Sequence, residues 1–285
     1  MVKKDLNEQF FESVSYLISQ ARAELKASFE KTAVPDQTLW YHCLDHTEGV
    51  YQRAVKIMNT CNRVEQGTFN AHTSALVSLA VYYHDIYIAS YIVLDPTTPH
   101  RRLSRKRFTG GNEEAAIAIL HRRMDEQNDD CGQTVFLQSD FNFVQQTIAL
   151  TIPIFEAGTV MQGITSRMPL AVRILPLADL GECSMDPMRF MRSGELLLCE
   201  EQPLVQASLQ GYWSNAHVEY LRQDILTWSA NQAEFVIGRK KRTNLDLAGI
   251  SAYMEQLLMK ECFNGFETSL QLVKDRHNRR KTMTY

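Results

Sequence analysis

AHTSALVSLAVYYHDI, residues 71–86, is the segment from which the architecture of this chain can be predicted. The part SALVSLAVYY is apolar almost all round when it is read at helical period. A helix of that composition belongs in the middle of a core, where neighbouring helices cover every face. The segment ends on His84 and Asp85, two side chains of the kind that ligate metal ions. We therefore expect a buried helix, over about 71–85, that carries two potential metal ligands at its end.

Helical periodicity continues on both sides of this segment. An apolar segment at 168–183 contains Pro176, which predicts a kink or a break. No stretch alternates apolar and polar residues for long enough to predict a sheet, and no linker rich in Gly, Ser or Pro divides the chain. The sequence predicts a single all-α domain over residues 1–285. Its other predicted helices are 6–29, 42–62, 112–127, 140–151, 204–228 and 249–273, with a shorter one between the last two.

Composition excludes several classes of protein. The chain has 285 residues, 45% of them hydrophobic, which excludes wholesale disorder. The charge of −3 gives no reason to expect a nucleic acid polymer or an anionic membrane as partner. No apolar run approaches the ~18 residues of a transmembrane helix, and the polar N-terminus predicts no export, so we expect a cytoplasmic protein. The six cysteines form no C-x-x-C pair, which predicts reduced thiols rather than disulfides or a cysteine zinc site.

Metal-type ligands occur at four places on or beside apolar helices. In YHCLDHT, residues 41–47, His42 and His46 are four apart and share a helix face. The pair His84-Asp85 follows, and Asp179 ends the apolar segment LAVRILPLAD. A lone buried carboxylate is costly, so both aspartates need a cationic partner. Two imidazoles and two carboxylates suit one divalent ion of the Mn, Fe, Co, Ni or Zn kind, or Mg.

Each of these residues also has an ordinary structural interpretation. A buried histidine is more often hydrogen-bonded in a core than bound to a metal. Asp179 could cap a helix or pair with Arg173 on the same segment. The acidic residues Glu113 and Glu114, which form the fourth place, could simply favour the first turn of their helix, where the helix dipole stabilises negative charge. The joint pattern of all four places, each in an apolar helical context, favours a site.

In its motifs the chain resembles the HD superfamily of metal-dependent phosphohydrolases, whose signature is His…His-Asp…Asp on an all-helical core. The resemblance is best to predicted hydrolases with a Tyr-His-x-x-x-His opening, a His-Asp-Ile-x-Tyr centre and an Asn-Glu-Glu segment. In order, this sequence has YHCLDHT, HDIY, GGNEEAA and ADLGE. The resemblance covers about 40–185, so an HD-like core would be flanked by helices 5–29 and 204–273.

The resemblance implies a role for each matched residue. His46, His84, Asp85 and Asp179 would bind one metal ion, and His42 would contact a phosphate or water. Asp179 or Glu113 would accept the proton of the attacking water. The implied activity is hydrolysis of a small phosphorylated molecule, preferably a nucleotide, as a phosphomonoesterase or phosphodiesterase.

Two departures from the family pattern keep other functions open. HD nucleotidases with a Glu shortly after the His-Asp pair use it for proton transfer, whereas this chain continues HDIYIAS. Where the branch often has an additional His, this chain has Thr151-Ile152-Pro153, which favours one ion over two. The chain could therefore be a regulatory HD protein that binds metal without turnover. A di-iron oxygenase on the same scaffold is a further alternative, because some two-iron oxygenases share the HD core, but a second iron needs additional His and Asp ligands and this chain has few in its core helices.

A basic run, RRLSRKRF, lies between the His-Asp pair and the Asn-Glu-Glu segment. A solvated surface loop is the ordinary interpretation of such a run. Its position favours a second one, in which Arg102, Arg105 and Arg107 bind phosphate oxygens of the substrate, because guanidinium matches them in a bidentate fork. Helices 204–228 and 249–273 could also pair between two subunits, which would make a homodimer.

Overall fold

The structure is a computed structural model that describes residues 5–27, 39–94, 101–105, 108–156, 159–202, 205 and 215–282. Over these residues it is mainly helical, which confirms the all-α prediction. The helices are α1 (Leu6–Leu25), α2 (Leu44–Val64), α3 (Ala71–Tyr83), α4 (Gly111–Cys131), α5 (Gln138–Ala149), α6 (Leu170–Asp179), α7 (Glu182–Met185), α8 (Pro187–Glu201), α9 (Asn215–Asp246), α10 (Ala252–Glu261) and α11 (Phe266–Thr282).

Helix α3 lies at the centre of the bundle, as its composition predicts. It packs against α1, α2, α5 and α6. The side chain of Asn70 accepts a hydrogen bond from the amide of Thr73 and so caps the start of the helix. Residues 79–83 are all buried, so the last turn of α3 leaves no face to solvent. The end of α3, where His84 and Asp85 follow, is therefore enclosed by neighbouring helices.

Two short hairpins interrupt the helices, where the sequence predicts no strand. In the first, β1 (Ser90–Leu94) pairs antiparallel with β2 (Arg101–Arg105), and Ser90 lies opposite Arg105. In the second, β3 (Ile154–Glu156) pairs antiparallel with β4 (Thr159–Met161). Strands of three to five residues are too short to show a clear alternation in the sequence, which is why periodicity misses them.

Pro176 does not break its helix. Helix α6 continues through it to Asp179, and the amide of Leu180 bonds to the carbonyl of Pro176. The chain turns instead at Gly181, where a Cβ atom would lie 2.4 Å from the carbonyl oxygen of Leu177. Only glycine fits so close to the preceding turn, and Gly181 therefore fixes how the chain leaves α6.

The C-terminal helices differ from the prediction. The predicted helix 249–273 is wrong, because two helices, α10 and α11, occupy that range. The chain breaks at Gly265, whose amide bonds to the carbonyl of Ser184 at 2.8 Å and whose Cβ would lie 2.6 Å from the same oxygen. Part of predicted helix 204–228 lies outside the described residues. The remainder continues into α9, which also includes the predicted shorter helix.

Buried apolar residues from α1 to α11 belong to one hydrophobic cluster. None of the six cysteines, all of which are described, forms a disulfide, as their spacing predicts. Within the described ranges, no helix has the length and apolar character needed to cross a membrane.

Candidate metal centre

The ends of three helices meet at one point. His46 lies in the first turn of α2, His84 and Asp85 directly follow α3, and Asp179 is the last residue of α6. These three helices pack against one another, so the start of α2 and the ends of α3 and α6 come together. All four side chains are buried. The structure thus brings together every residue that the resemblance implies as a metal ligand.

Distances within this group fit a single ion. The Nε2 atom of His84 lies 3.0 Å from Oδ2 of Asp85, and Nε2 of His46 lies 3.4 Å from Oδ1 of Asp179. The ligand atoms of His46, His84 and Asp179 all lie within 4.8 Å of one another, so this group could hold a metal ion. Ligand atoms held about 2.1 Å from one ion lie roughly 3 Å apart, close to these values.

The imidazole nitrogens at the centre of the group lack hydrogen-bond partners. Both ring nitrogens of His46, and Nε2 of His84, are buried and form no hydrogen bond among the described residues. Leaving buried polar atoms in that state is costly unless something else binds them. A divalent cation would bind these atoms, and imidazole nitrogen with carboxylate oxygen is a donor set that such ions accept. The residues present therefore fit a metal ion.

Neighbouring groups orient the ligands. The Nδ1 atom of His84 donates a hydrogen bond to the carbonyl oxygen of Val81 at 2.7 Å, which directs Nε2 into the centre. The Nε2 group of Gln162 donates to Oδ2 of Asp179 at 3.2 Å, so the other oxygen of that carboxylate faces the histidines. Such contacts are typical of metal sites, where they fix the ring orientation and the basicity of the ligands.

The pKa shifts of His46, Asp179 and His84 show how burial and neighbouring charges act on the ligands. Burial is the largest influence on His46 and lowers its pKa despite the nearby carboxylate of Asp179, so its ring is neutral. For Asp179, burial acts to raise the pKa, but His46 and His84 outweigh it and lower the value. Burial also acts to lower the pKa of His84, yet the carboxylates of Asp85 and Asp179 raise it to about 9. The two carboxylates therefore favour a positive charge at this point of the centre, which a bound cation would supply.

His42 lies beside the centre and is held by Glu200, a residue of α8. The rings of His42 and His46 have their centroids 5.9 Å apart. The carboxylate of Glu200 accepts hydrogen bonds from the amides of Tyr41, at 2.8 Å, and His42, at 3.1 Å, and it also binds Nδ1 of His42. Burial acts to raise the pKa of Glu200, but His42 and these amides lower it. Sequence reasoning misses Glu200, which lies 158 positions from His42 along the chain.

Tyr41 is a further residue of the centre that the motif includes but the sequence analysis assigns no role. Its ring lies 4.4 Å from the ring of His46, centroid to centroid. Burial raises the pKa of its hydroxyl well above the usual value, and the carboxylates of Glu182 and Asp179 act in the same direction. The phenol therefore keeps its proton and can donate a hydrogen bond.

Glu113 is buried at the start of α4, where it has a structural contact. One of its carboxylate oxygens accepts a hydrogen bond from the amide of Gly110 at 2.9 Å. Its neighbour Asn112 accepts a bond from the amide of Ala89 at 3.1 Å, which ties α4 to the segment after the His-Asp pair. Glu113 is not among the residues whose ligand atoms lie within 4.8 Å of one another. The expected preference of acidic residues for the first helical turn is therefore observed.

The sequence suggests roles for two sets of arginines, Arg173 as a partner of Asp179 and the basic run as a binding site for substrate. Arg173 bonds to the carbonyls of Met168, Asp246 and Ala248, so it is not the partner of Asp179. Arg102 and Arg105 lie on strand β2. Their side chains, and all of Arg107, lie outside the described residues. Their predicted contact with a substrate stays a prediction.

Comparisons with protein-family models, with curated proteins and with solved structures found no match for this chain.

Proposed function

We propose that this protein is a metal-dependent phosphohydrolase of the HD superfamily that acts on a small phosphorylated molecule, with a nucleotide as the favoured substrate. One observation carries the proposal. His46, His84 and Asp179 meet in a buried group in which both ring nitrogens of His46, and Nε2 of His84, have no hydrogen-bond partner among the described residues. Asp85, whose Oδ2 lies 3.0 Å from Nε2 of His84, would be the fourth ligand. The order of the motifs along the chain supports the family.

A divalent ion, when bound, would acidify a water molecule toward a pKa of ~7 and polarise a phosphoryl oxygen. The protein supplies the remaining parts. Asp179 and Glu113 are the carboxylates that would accept the proton of the water. His42, oriented by Glu200, and the hydroxyl of Tyr41 would donate hydrogen bonds to the phosphoryl oxygens as negative charge develops. Arg102, Arg105 and Arg107 would bind the substrate as it enters.

Two observations favour one ion over the two of an oxygenase. Within the described ranges, His46, His84 and Asp179 are the single group of three or more His, Cys, Asp or Glu side chains close enough to hold a metal. The motifs contain two other side chains of the kind that bind metals, His42 and Glu113, and both have contacts within the protein. His42 binds Glu200, and Glu113 accepts a hydrogen bond from the amide of Gly110.

The test combines metal analysis with a phosphate-release assay. The purified protein is loaded in turn with Mn, Fe, Co, Ni, Zn and Mg, and its metal content is measured. Each loaded form is then assayed on nucleoside mono-, di- and triphosphates and on a simple phosphate ester. One ion per chain with phosphate release would support the proposal. The absence of stoichiometric metal under every condition would overturn it, and metal without turnover on any substrate would favour a regulatory protein.

A further inference from the structure

Arg53 contacts both sides of the turn that carries Asp179. It lies on α2, two helical turns beyond His46, and its side chain is buried. Its Nε donates to the carbonyl oxygen of Ala178 at 2.6 Å, and its Nη1 donates to the carboxylate of Glu182 at 3.0 Å. Ala178 immediately precedes Asp179, and Glu182 follows it by three positions. One guanidinium therefore holds the chain on both sides of a metal ligand.

A second arginine completes this network. The Nε of Arg189, on α8, donates to the same oxygen of Glu182 at 3.0 Å. Its Nη2 lies 2.9 Å from the carboxylate of Asp45, the neighbour of His46. The guanidinium crosses α2 at Gly49, where a Cβ atom would lie 2.8 Å from it. The chain of contacts thus begins beside His46 and ends beside Asp179.

We propose that Arg53 is a positioning residue of the metal centre, which sets the place of Asp179 relative to His46. The inference rests on the proposed metal site. Arg53 and His46 lie on the same helix, so the two bonds of Arg53 tie the end of α6 directly to the element that carries the other ligand. Glu182 anchors the far side of the turn after Asp179. Gln162 holds the side chain of Asp179, whereas Arg53 holds the chain around it.

The energetics of buried ion pairs favour a positioning role for Arg53 over a role that only stabilises the fold. Charges incur a desolvation penalty when they leave water, so apolar residues of similar volume are often as stabilising as a buried pair. A guanidinium, in contrast, presents donors in a rigid fork and fixes the distance between two acceptors. Here the acceptors are the carbonyl of Ala178 and the carboxylate of Glu182. The contribution of Arg53 is therefore to geometry at Asp179.

The experiment compares Arg53→Met with a matched control, Arg276→Met. Arg276 is also a buried arginine, and it likewise binds a carbonyl, that of Met191 at 2.8 Å, and a carboxylate, that of Glu195. It lies on α11, and these two acceptors lie on α8, outside the segments that carry the metal ligands. For the parent and both variants, the affinity for the metal ion that the parent binds is measured by titration calorimetry well below the unfolding temperature. The unfolding temperature is measured with and without that ion.

We expect both variants to lower the unfolding temperature of the metal-free protein. Arg53→Met should also weaken metal binding about 10- to 100-fold, as is typical when a group that orients a ligand is lost. It should reduce the rise in unfolding temperature that the ion produces. Arg276→Met should leave both the affinity and that rise unchanged. Equal metal affinity in Arg53→Met and the parent would overturn the inference, as would an equal loss in Arg276→Met.

Arg53→Lys is the variant to test if Arg53→Met does not fold. Lysine keeps the buried charge but cannot hold both acceptors in a planar fork, so its metal affinity should be lower than that of the parent. Parent-like affinity in Arg53→Lys, when Arg53→Met is unfolded, would overturn the inference. If the parent itself binds no metal, the proposed site is wrong and the inference fails with it. Metal binding by the parent with no effect at Arg53 overturns the inference alone.

Discussion

The Nδ1–H group of His84 donates a hydrogen bond to the carbonyl oxygen of Val81, 2.7 Å away. A carbonyl oxygen can only accept, so Nδ1 carries a proton and Nε2 is the atom that faces Asp85 and Asp179. The same bond fixes the plane of the ring. The backbone of α3 therefore presents one nitrogen of His84 to the centre before any ion arrives, which is the arrangement expected of a metal ligand.

The first prediction is that His84→Ala abolishes stoichiometric metal binding. The substitution removes one nitrogen ligand and leaves the carboxylates of Asp85 and Asp179 without the imidazole beside them. Metal content after loading and dialysis, measured by elemental analysis, should fall from one ion per chain to background. His72→Ala is the control, because His72 lies at the opposite end of α3 and its side chain is 42% exposed. Full metal content in His84→Ala would refute the ligand assignment.

The second prediction concerns Gln162→Leu. Gln162 is buried, and its amide donates to Oδ2 of Asp179. Leucine has a similar volume and no donor, so Asp179 loses the contact that orients its carboxylate. We expect metal affinity to fall about tenfold to a hundredfold in calorimetric titration, with one ion still bound at saturation. Gln133→Leu replaces a partly buried glutamine that binds Gln9 on α1, and it should leave the affinity unchanged.

Patterns among residues close in sequence predict most of the helices and the candidate metal ligands. The apolar run 74–83 suffices to predict a central helix, and the spacing of His42 and His46 suffices to place both on one face. Contacts between distant segments leave no such pattern. Gly265, in the break between α10 and α11, contacts Ser184, which lies 81 positions earlier in the chain. Gln162 contacts Asp179 across the segment that joins β4 to α6.

Helix α9 and Glu200 are two further features that local sequence patterns do not predict. Residues 215–246 are polar on most sides, so periodicity divides them into shorter helices, although they form one helix of 32 residues. Glu200 lies in an ordinary amphipathic helix, and nothing near it in the sequence indicates that it holds His42. A buried acidic residue on an otherwise apolar face is the one signal that could have identified it.

The third prediction is a change in the acid stability of Glu200→Gln. The pKa of Glu200 is lower in the folded protein than its ordinary value, because His42 and two amides outweigh the effect of burial. A carboxyl of this kind stabilises the fold fully above its unfolded pKa, about 4.3 for Glu, and loses that contribution as the pH falls through the folded value. Denaturant unfolding at pH 7 should show Glu200→Gln less stable than the parent by about 1.5–3 kcal/mol.

As the pH falls below about 4.3, the difference between Glu200→Gln and the parent should shrink, because the parent alone loses this contribution as its carboxylate is protonated. A difference in stability that is constant from neutral to acid pH would show that the charge of Glu200 contributes nothing.

The fourth prediction separates metal binding from proton transfer at Glu113. Glu113→Gln keeps the size of the side chain and an oxygen that can accept from the amide of Gly110, so the cap of α4 is preserved. Metal content should therefore stay at one ion per chain. Phosphate release should fall by about 10²–10⁴ if this carboxylate accepts the proton of the water. Unchanged turnover would assign that role to Asp179 instead.

The last prediction concerns the basic run at residues 101–107, which contains five cationic side chains. Charged side chains are rarely buried unless they are paired, so the sequence predicts that these face either water or an anion. If they face the substrate, neutralising Arg102, Arg105 and Arg107 together should raise KM strongly and leave the unfolding temperature almost unchanged. Loss of one charge-assisted contact costs about 1.5–3 kcal/mol, which corresponds to roughly ten- to a hundredfold in affinity.

The dependence of this effect on salt distinguishes substrate binding from a general change in the protein. The rise in KM should decrease in high salt, because exposed charges are screened beyond about 10 Å at 0.1 M. Neutralising Arg279, Arg280 and Lys281, a second basic cluster at the end of α11, removes the same charge elsewhere and should leave KM unchanged. Equal KM values for the loop variant and the parent at low salt would show that the run is a solvated surface.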